Sequence, residues 1–70
     1  MFKFSVQVIN EGDAWTSVYV GELPDYEHAR FDALSQYEWT KSRPAQYGNP
    51  IAVRCRVHGE VLREESLWTK

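Results

Sequence analysis

The sequence predicts an α+β fold: an antiparallel sheet of three or four strands with one helix packed on one face, in the order ββαβ or ββαββ. Three observations carry this. Residues 2–8 and 15–20 alternate apolar and polar side chains with a period of two, as half-buried strands do. Tyr26, Ala29, Ala33 and Tyr37 fall on one stripe at 100° per residue. Ile51, Val53, Cys55 and Val57 alternate with Ala52, Arg54, Arg56 and His58, the cleanest strand pattern in the chain.

Each element has its own local signal. Phe2, Phe4, Val6 and Val8 alternate with Lys3, Ser5 and Gln7, and Asn10-Glu11-Gly12-Asp13 follows as a turn. The next segment places Thr16, Val18 and Val20 on one face and Trp15, Ser17 and Tyr19 on the other, so the first two strands form an antiparallel hairpin. Gly21 through Asp25 reads as a break that ends the strand and starts a helix, with Pro24 in the first turn and Asp25 and Glu27 at its positive end. The two alanines let that helix lie close on the sheet, with Leu34 beside the stripe and Phe31 and Trp39 off it. The helix is expected to stop near Thr40, before Ser42-Arg43-Pro44. Residues 41–50 read as a loop, and His58-Gly59 as a tight turn. Val61 to Trp68 reads as a fourth strand or as a short helical turn.

Length and composition narrow the function. Seventy residues make one domain, 1–70, and a chain of that size buries only about 60% of its unfolded surface. A single cysteine, Cys55, allows no internal disulfide and fits a reducing cytoplasm. No apolar run approaches the roughly 18 residues of a membrane helix. The N-terminus enters strand alternation directly, and no signal peptide is expected. Ten aromatic residues cannot all be buried in so small a fold, so some are expected on a contact surface.

Charge is sorted along the chain. Between Glu11 and Glu38 seven acidic residues are opposed only by Arg30, whereas Lys41, Arg43, Arg54 and Arg56 follow with no acid among them. The net charge is −2. Such a division suits orienting a partner. Catalysis has no positive signal. Cys55 and His58 lie three apart, which on a strand puts them on opposite faces. With His28 they make three soft ligands where structural zinc needs four. Glu27 and Glu38 lie three helical turns apart. The glycines are scattered rather than gathered in a phosphate loop. No enzyme activity, metal or cofactor is expected. Single-stranded nucleic acid is the rival partner, since Lys41, Arg43, Arg54 and Arg56 lie near Tyr37, Trp39 and Tyr47. The acidic balance argues against it, and the lack of a long apolar run argues against a membrane partner. Mimicry of DNA by the acidic block is a minor option. Cross-strand pairing of Arg54 and Arg56 with Glu60 or Glu64 is the structural alternative to a binding role.

Three pieces of sequence resemble a known family. They are Lys3-Phe4-x-Val6-x-Val8; Val18-Tyr19-Val20-x-Glu22 leading to a helix with a late Glu38-Trp39; and Arg54-x-Arg56 beside a cysteine. Over roughly residues 1–58 this pattern is similar to the small phage-encoded inhibitors of host bacterial RNA polymerase. The resemblance implies a host-takeover protein acting in the host cytoplasm, with an acidic surface that docks on the polymerase jaw and two strand arginines that are also needed. By motif match those are Arg54 and Arg56. A phage inhibitor of bacterial immunity shares the same pattern and stays open. Trp15 and Tyr19 join the arginines on the sheet face away from the helix, with Lys3, Ser5, Gln7 and Ser17. Asp25, Glu27 and Asp32 supply the acidic surface, and Trp39 and Arg43 an aromatic and a cation at the helix end. The expected function is non-catalytic binding and inhibition of a host protein machine.

Overall fold

The computed structural model describes residues 1–67. Strand β1 (Phe2–Ile9) is followed by β2 (Thr16–Leu23), helix α1 (Tyr26–Ser42), a 3-10 turn (Pro44–Tyr47), β3 (Ala52–Val57) and β4 (Glu60–Ser66). The four strands form one antiparallel sheet in the order β2-β1-β3-β4. The architecture is therefore α+β, and of the two expected orders it is ββαββ. The fourth element is a strand over its described length, while Trp68 lies outside the described residues.

Connectivity explains why a helix is needed. β2 and β3 both run antiparallel to β1 and flank it, so they run parallel to each other. A hairpin cannot join parallel strands, and α1 supplies the crossover. Its N-cap is Asp25, whose carboxylate accepts the His28 amide at 3.0 Å. Pro24 thus sits before the cap rather than inside the first turn. The helix also runs two residues past Thr40, because Thr40 is buried on the packed face and Pro44 stops the helix only after Arg43. Lys41 and Ser42, expected in the loop, belong to the helix, and Pro44–Tyr47 winds into the 3-10 turn.

The core is the helix face against the sheet. Phe4, Val6 and Val8 of β1 and Val53, Cys55 and Val57 of β3 meet Ala29, Ala33 and Tyr37 of α1, all essentially solvent-free. Tyr26 and Leu34 close its flank. The expected stripe is the buried stripe, and Phe31, expected off it, is 69% exposed.

Two irregularities alter the sheet from what alternation implies. Val6 pairs with Tyr19 and Gln7 with Ser17, so Val18 is an extra residue in β2. The bulge reverses the face of everything after it. Tyr19 lies on the helix side, its ring 5.9 Å from that of Phe4, and Val20 lies on the other side, 68% exposed. Both were expected the other way round, because strict alternation carries no extra residue. Gly21 does not break the strand either; β2 runs to Leu23. The glycine is there because Phe4 fills its side-chain space: a Cβ would stand 2.4 Å from Phe4 Cζ. A second bulge lies between Cys55/Arg56 of the β3–β4 pair. The β3–β4 turn has two residues, His58 and Gly59, with φ of 52° and 85°, both left-handed as a primed hairpin turn requires.

Two outcomes follow from this core. Gly21→Ala overpacks the Phe4 ring and is expected to cost roughly 1–3 kcal/mol in chemical denaturation; a cost near zero would mean the ring moves freely. The second concerns alkaline pH. Burial raises the Cys55 thiol above 9.0, and burial, then Glu65, raises the Tyr37 phenol above 10.0. The folded state then holds protons that the unfolded chain releases, so full stability persists below about pH 9 and falls as pH rises through the raised values. Cys55→Ala is expected to lower the baseline by about 1 kcal/mol yet flatten the first part of that decline; an unchanged slope would refute the assignment.

Candidate functional site

The helix covers one face of the sheet, and no described element packs on the other. That open face carries Lys3, Ser5 and Gln7 from β1, Ser17, Val20 and Glu22 from β2, Arg54 and Arg56 from β3, and Val61 and Glu64 from β4 by register.

Its centre is a polar chain. Arg54 donates from Nε to Gln7 Oε1 at 2.7 Å, and Gln7 donates on to the Ser17 hydroxyl at 3.3 Å. The same guanidinium lies 4.1 Å from the centre of the Trp15 ring. Trp15 precedes β2, and this cation–π contact holds the end of the β1–β2 connection over the open face. Register sets Glu64 opposite Arg54, yet no ion pair forms. The expected cross-strand pairing with Glu60 or Glu64 is therefore replaced by Gln7 and Trp15. A neutral amide and a ring orient Arg54 without cancelling its charge.

Arg56 is held differently. It donates from one terminal nitrogen to the Gly59 carbonyl at 2.9 Å, and its Nε is buried with no partner. Beside it lies a depression of about 290 Å3, lined by Lys3, Phe4, Ser5, Ser17, Val20, Arg56 and Gly59. No carboxylate lines it.

The residues singled out in the sequence thus divide into separate places. Trp15, Arg54 and Arg56 come together on the open face. Tyr19 does not join them, since the bulge at Val18 turns it to the helix side. Asp25, Glu27 and Asp32 belong to α1 and its cap, on the far side of the sheet. Trp39 and Arg43 meet at the other end of α1, the guanidinium 3.6 Å from the ring centre. Nearby, Lys41 bridges Glu38 and Glu65 at 3.3 and 3.4 Å, and the hydrogen bond with Glu38, above all, raises its ammonium pKa. Alternation could not reveal Val20 on the open face. The signal that could have is Gly21: a glycine inside a strand, opposite a phenylalanine, marks a residue of β2 that faces the core.

Comparison with known proteins gives no relative. No protein-family model, curated protein or solved structure matches the chain. The site is accordingly interpreted from its own chemistry. Cys55 faces the core and is fully buried, while His58 is exposed at the turn, so a thiol–imidazole pair does not form. Among the described residues, no group of three or more His, Cys, Asp or Glu side chains is gathered as metal ligands. No helix among them is long and apolar enough to cross a membrane. What the open face offers is three cations, Arg54 and Arg56 half-buried and Lys3 exposed, beside one aromatic and two exposed valines, Val20 and Val61.

A double-mutant cycle measures the link at its centre. Trp15→Ala and Arg54→Ala are expected to couple by about 0.5–1 kcal/mol in urea denaturation, the range for a cation–π pair at an accessible site. Strict additivity would show that the stack contributes nothing to holding Trp15 in place.

Proposed function

We propose that this chain is a non-catalytic binding protein that inhibits a host protein machine, and that it grips its target with the open face of the sheet. One observation supports this above the rest: three cations, Lys3, Arg54 and Arg56, stand on an uncovered face with no carboxylate of the described residues at ion-pair distance. Glu22 and Glu64 share the face by register but pair with none of them. Unpaired arginines beside an aromatic on a stiff strand are the side chains that anchor protein interfaces. The acidic helix lies behind the sheet and so does not touch the same patch of a flat partner. Its role is orientation: a molecule acidic on one side and basic on the other meets an acidic partner surface face first.

Bacterial RNA polymerase is the target to test, on the resemblance of the Arg54-x-Arg56 strand and acidic helix to the phage inhibitors. The nucleic-acid reading is less well supported by the face itself. Base stacking needs a free aromatic surface. Trp15 and Trp39 each have one ring face taken by an arginine.

Purified polymerase transcribing with and without this protein is the direct measurement. Inhibition is expected, and it should be lost in a folded Arg56→Glu variant; undiminished transcription at large molar excess would remove polymerase as the target. Titration with single-stranded oligonucleotides in parallel is expected to show no saturable binding. Tight binding with a steep salt dependence would instead favour nucleic acid, because the slope counts the phosphates neutralised.

A further inference from the structure

We infer that Arg54 and Arg56 have different roles, and that the depression beside Arg56 is a carboxylate-binding cleft that receives an acidic side chain of the partner protein; this rests on the binding role proposed for the open face. The two arginines look equivalent in sequence, two apart on one strand and on one face. Their surroundings separate them. Arg54 is committed within the molecule: its Nε is used by Gln7, and Trp15 covers its guanidinium. It sets the position of Trp15 and the β1–β2 connection.

Arg56 is half-buried yet poorly compensated. It has one hydrogen bond, to the neutral Gly59 carbonyl, and its Nε is buried without an acceptor. A buried N–H in that state lacks the acceptor that its burial favours, while the rest of the guanidinium stays accessible to one. It borders the 290 Å3 depression, whose rim adds a second cation, Lys3, and the hydroxyls of Ser5 and Ser17, with Val20 as an apolar wall. Two positive charges, two hydroxyl groups and no carboxylate define an anion site. The guanidinium geometry suits a planar two-oxygen acceptor. Val20, 68% exposed, suits the aliphatic stem of a glutamate or an adjacent apolar residue. A protein acid fits all of these features, whereas a bare phosphate leaves Val20 unused.

The probe is the blocked tripeptide acetyl-Val-Glu-Val-amide, titrated into the isotope-labelled protein and followed by NMR. The glutamate peptide is expected to shift the Arg56 side-chain signal and the amides around Ser5 and Gly59. Its glutamine counterpart should bind at least about five-fold more weakly, since the charged acceptor makes the stronger hydrogen bonds. Arg56→Gln should weaken the glutamate peptide by about ten-fold or more, equivalent to about 1.4 kcal/mol, and Arg56→Lys by less. Arg63→Gln, which removes an equal charge from the helix-side face, should leave it unchanged, and retained spectral dispersion shows that each variant is folded. Equal binding of the two peptides, or equal effects of Arg56→Gln and Arg63→Gln, would overturn the cleft. So would inorganic phosphate competing more tightly than the glutamate peptide, because the ligand would then be a phosphoryl group. Failure of the peptide to bind while the protein still inhibits its target would overturn the cleft and leave the binding role intact. Peptide binding without inhibition of transcription would support the cleft and remove only polymerase as the protein it acts on.

Discussion

The rest of the molecule depends on the close contact of α1 with β1 and β3. Ala29 and Ala33 carry no side chain beyond Cβ, so the helix backbone comes near the sheet, and Tyr37 fills the space at one end. A chain this size has material for one such layer only. The helix must also cross from β2 to β3 above β1, because those two strands are parallel. One helix therefore both completes the topology and seals one face. The opposite face is left open by the same constraint. Its composition, rather than its exposure, distinguishes it: a solvated face has no need to hold Arg54 with a 2.7 Å bond and a tryptophan.

The Val18 bulge is the second determinant. Without it, Tyr19 would stand on the open face opposite Ser5, in the row of Arg56, and Val20 would face the core. With it, the tyrosine ring packs on Phe4 and the valine becomes the apolar wall of the cleft. The bulge and Gly21 form one device. Once β2 is shifted by a residue, position 21 falls opposite Phe4, and only a glycine leaves room for that ring. Bulges commonly re-aim side chains near functional surfaces, and this one exchanges an aromatic for an aliphatic neighbour at the edge of a basic patch.

Much of the fold was legible because the signals were periodic. The stripe of Tyr26, Ala29, Ala33 and Tyr37 and the alternation of Val53, Cys55 and Val57 name core residues directly, since burial and period are two views of one fact. The misread features were aperiodic. A bulge leaves no mark in an alternating string, so alternation alone places Tyr19 on the wrong face. Gly21 resembled a breaker because glycine marks both turns and close contacts. The helix passed Thr40 because a buried threonine has the same polar letter as an exposed one. The candidate site was legible only in part: the arginine face followed from β3, but its split from the acidic helix is a property of the layering.

That split changes what the charge pattern means. Read along the chain, acid and base look like two halves of one contact surface. In space the acidic residues of α1 and the cations of β1 and β3 lie on opposite sides of the sheet, with the core between them. Charges on opposite sides of a thin molecule do not neutralise one another through short ion pairs, and the ones that do pair, Lys41 with Glu38 and Glu65, lie at the helix side. The outcome is a molecule with a directional field. On the proposed binding role, an acidic partner surface would draw in the open face and repel the helix, so encounters would be oriented before contact, with the partly unmatched Arg56 guanidinium the cation best placed to meet it.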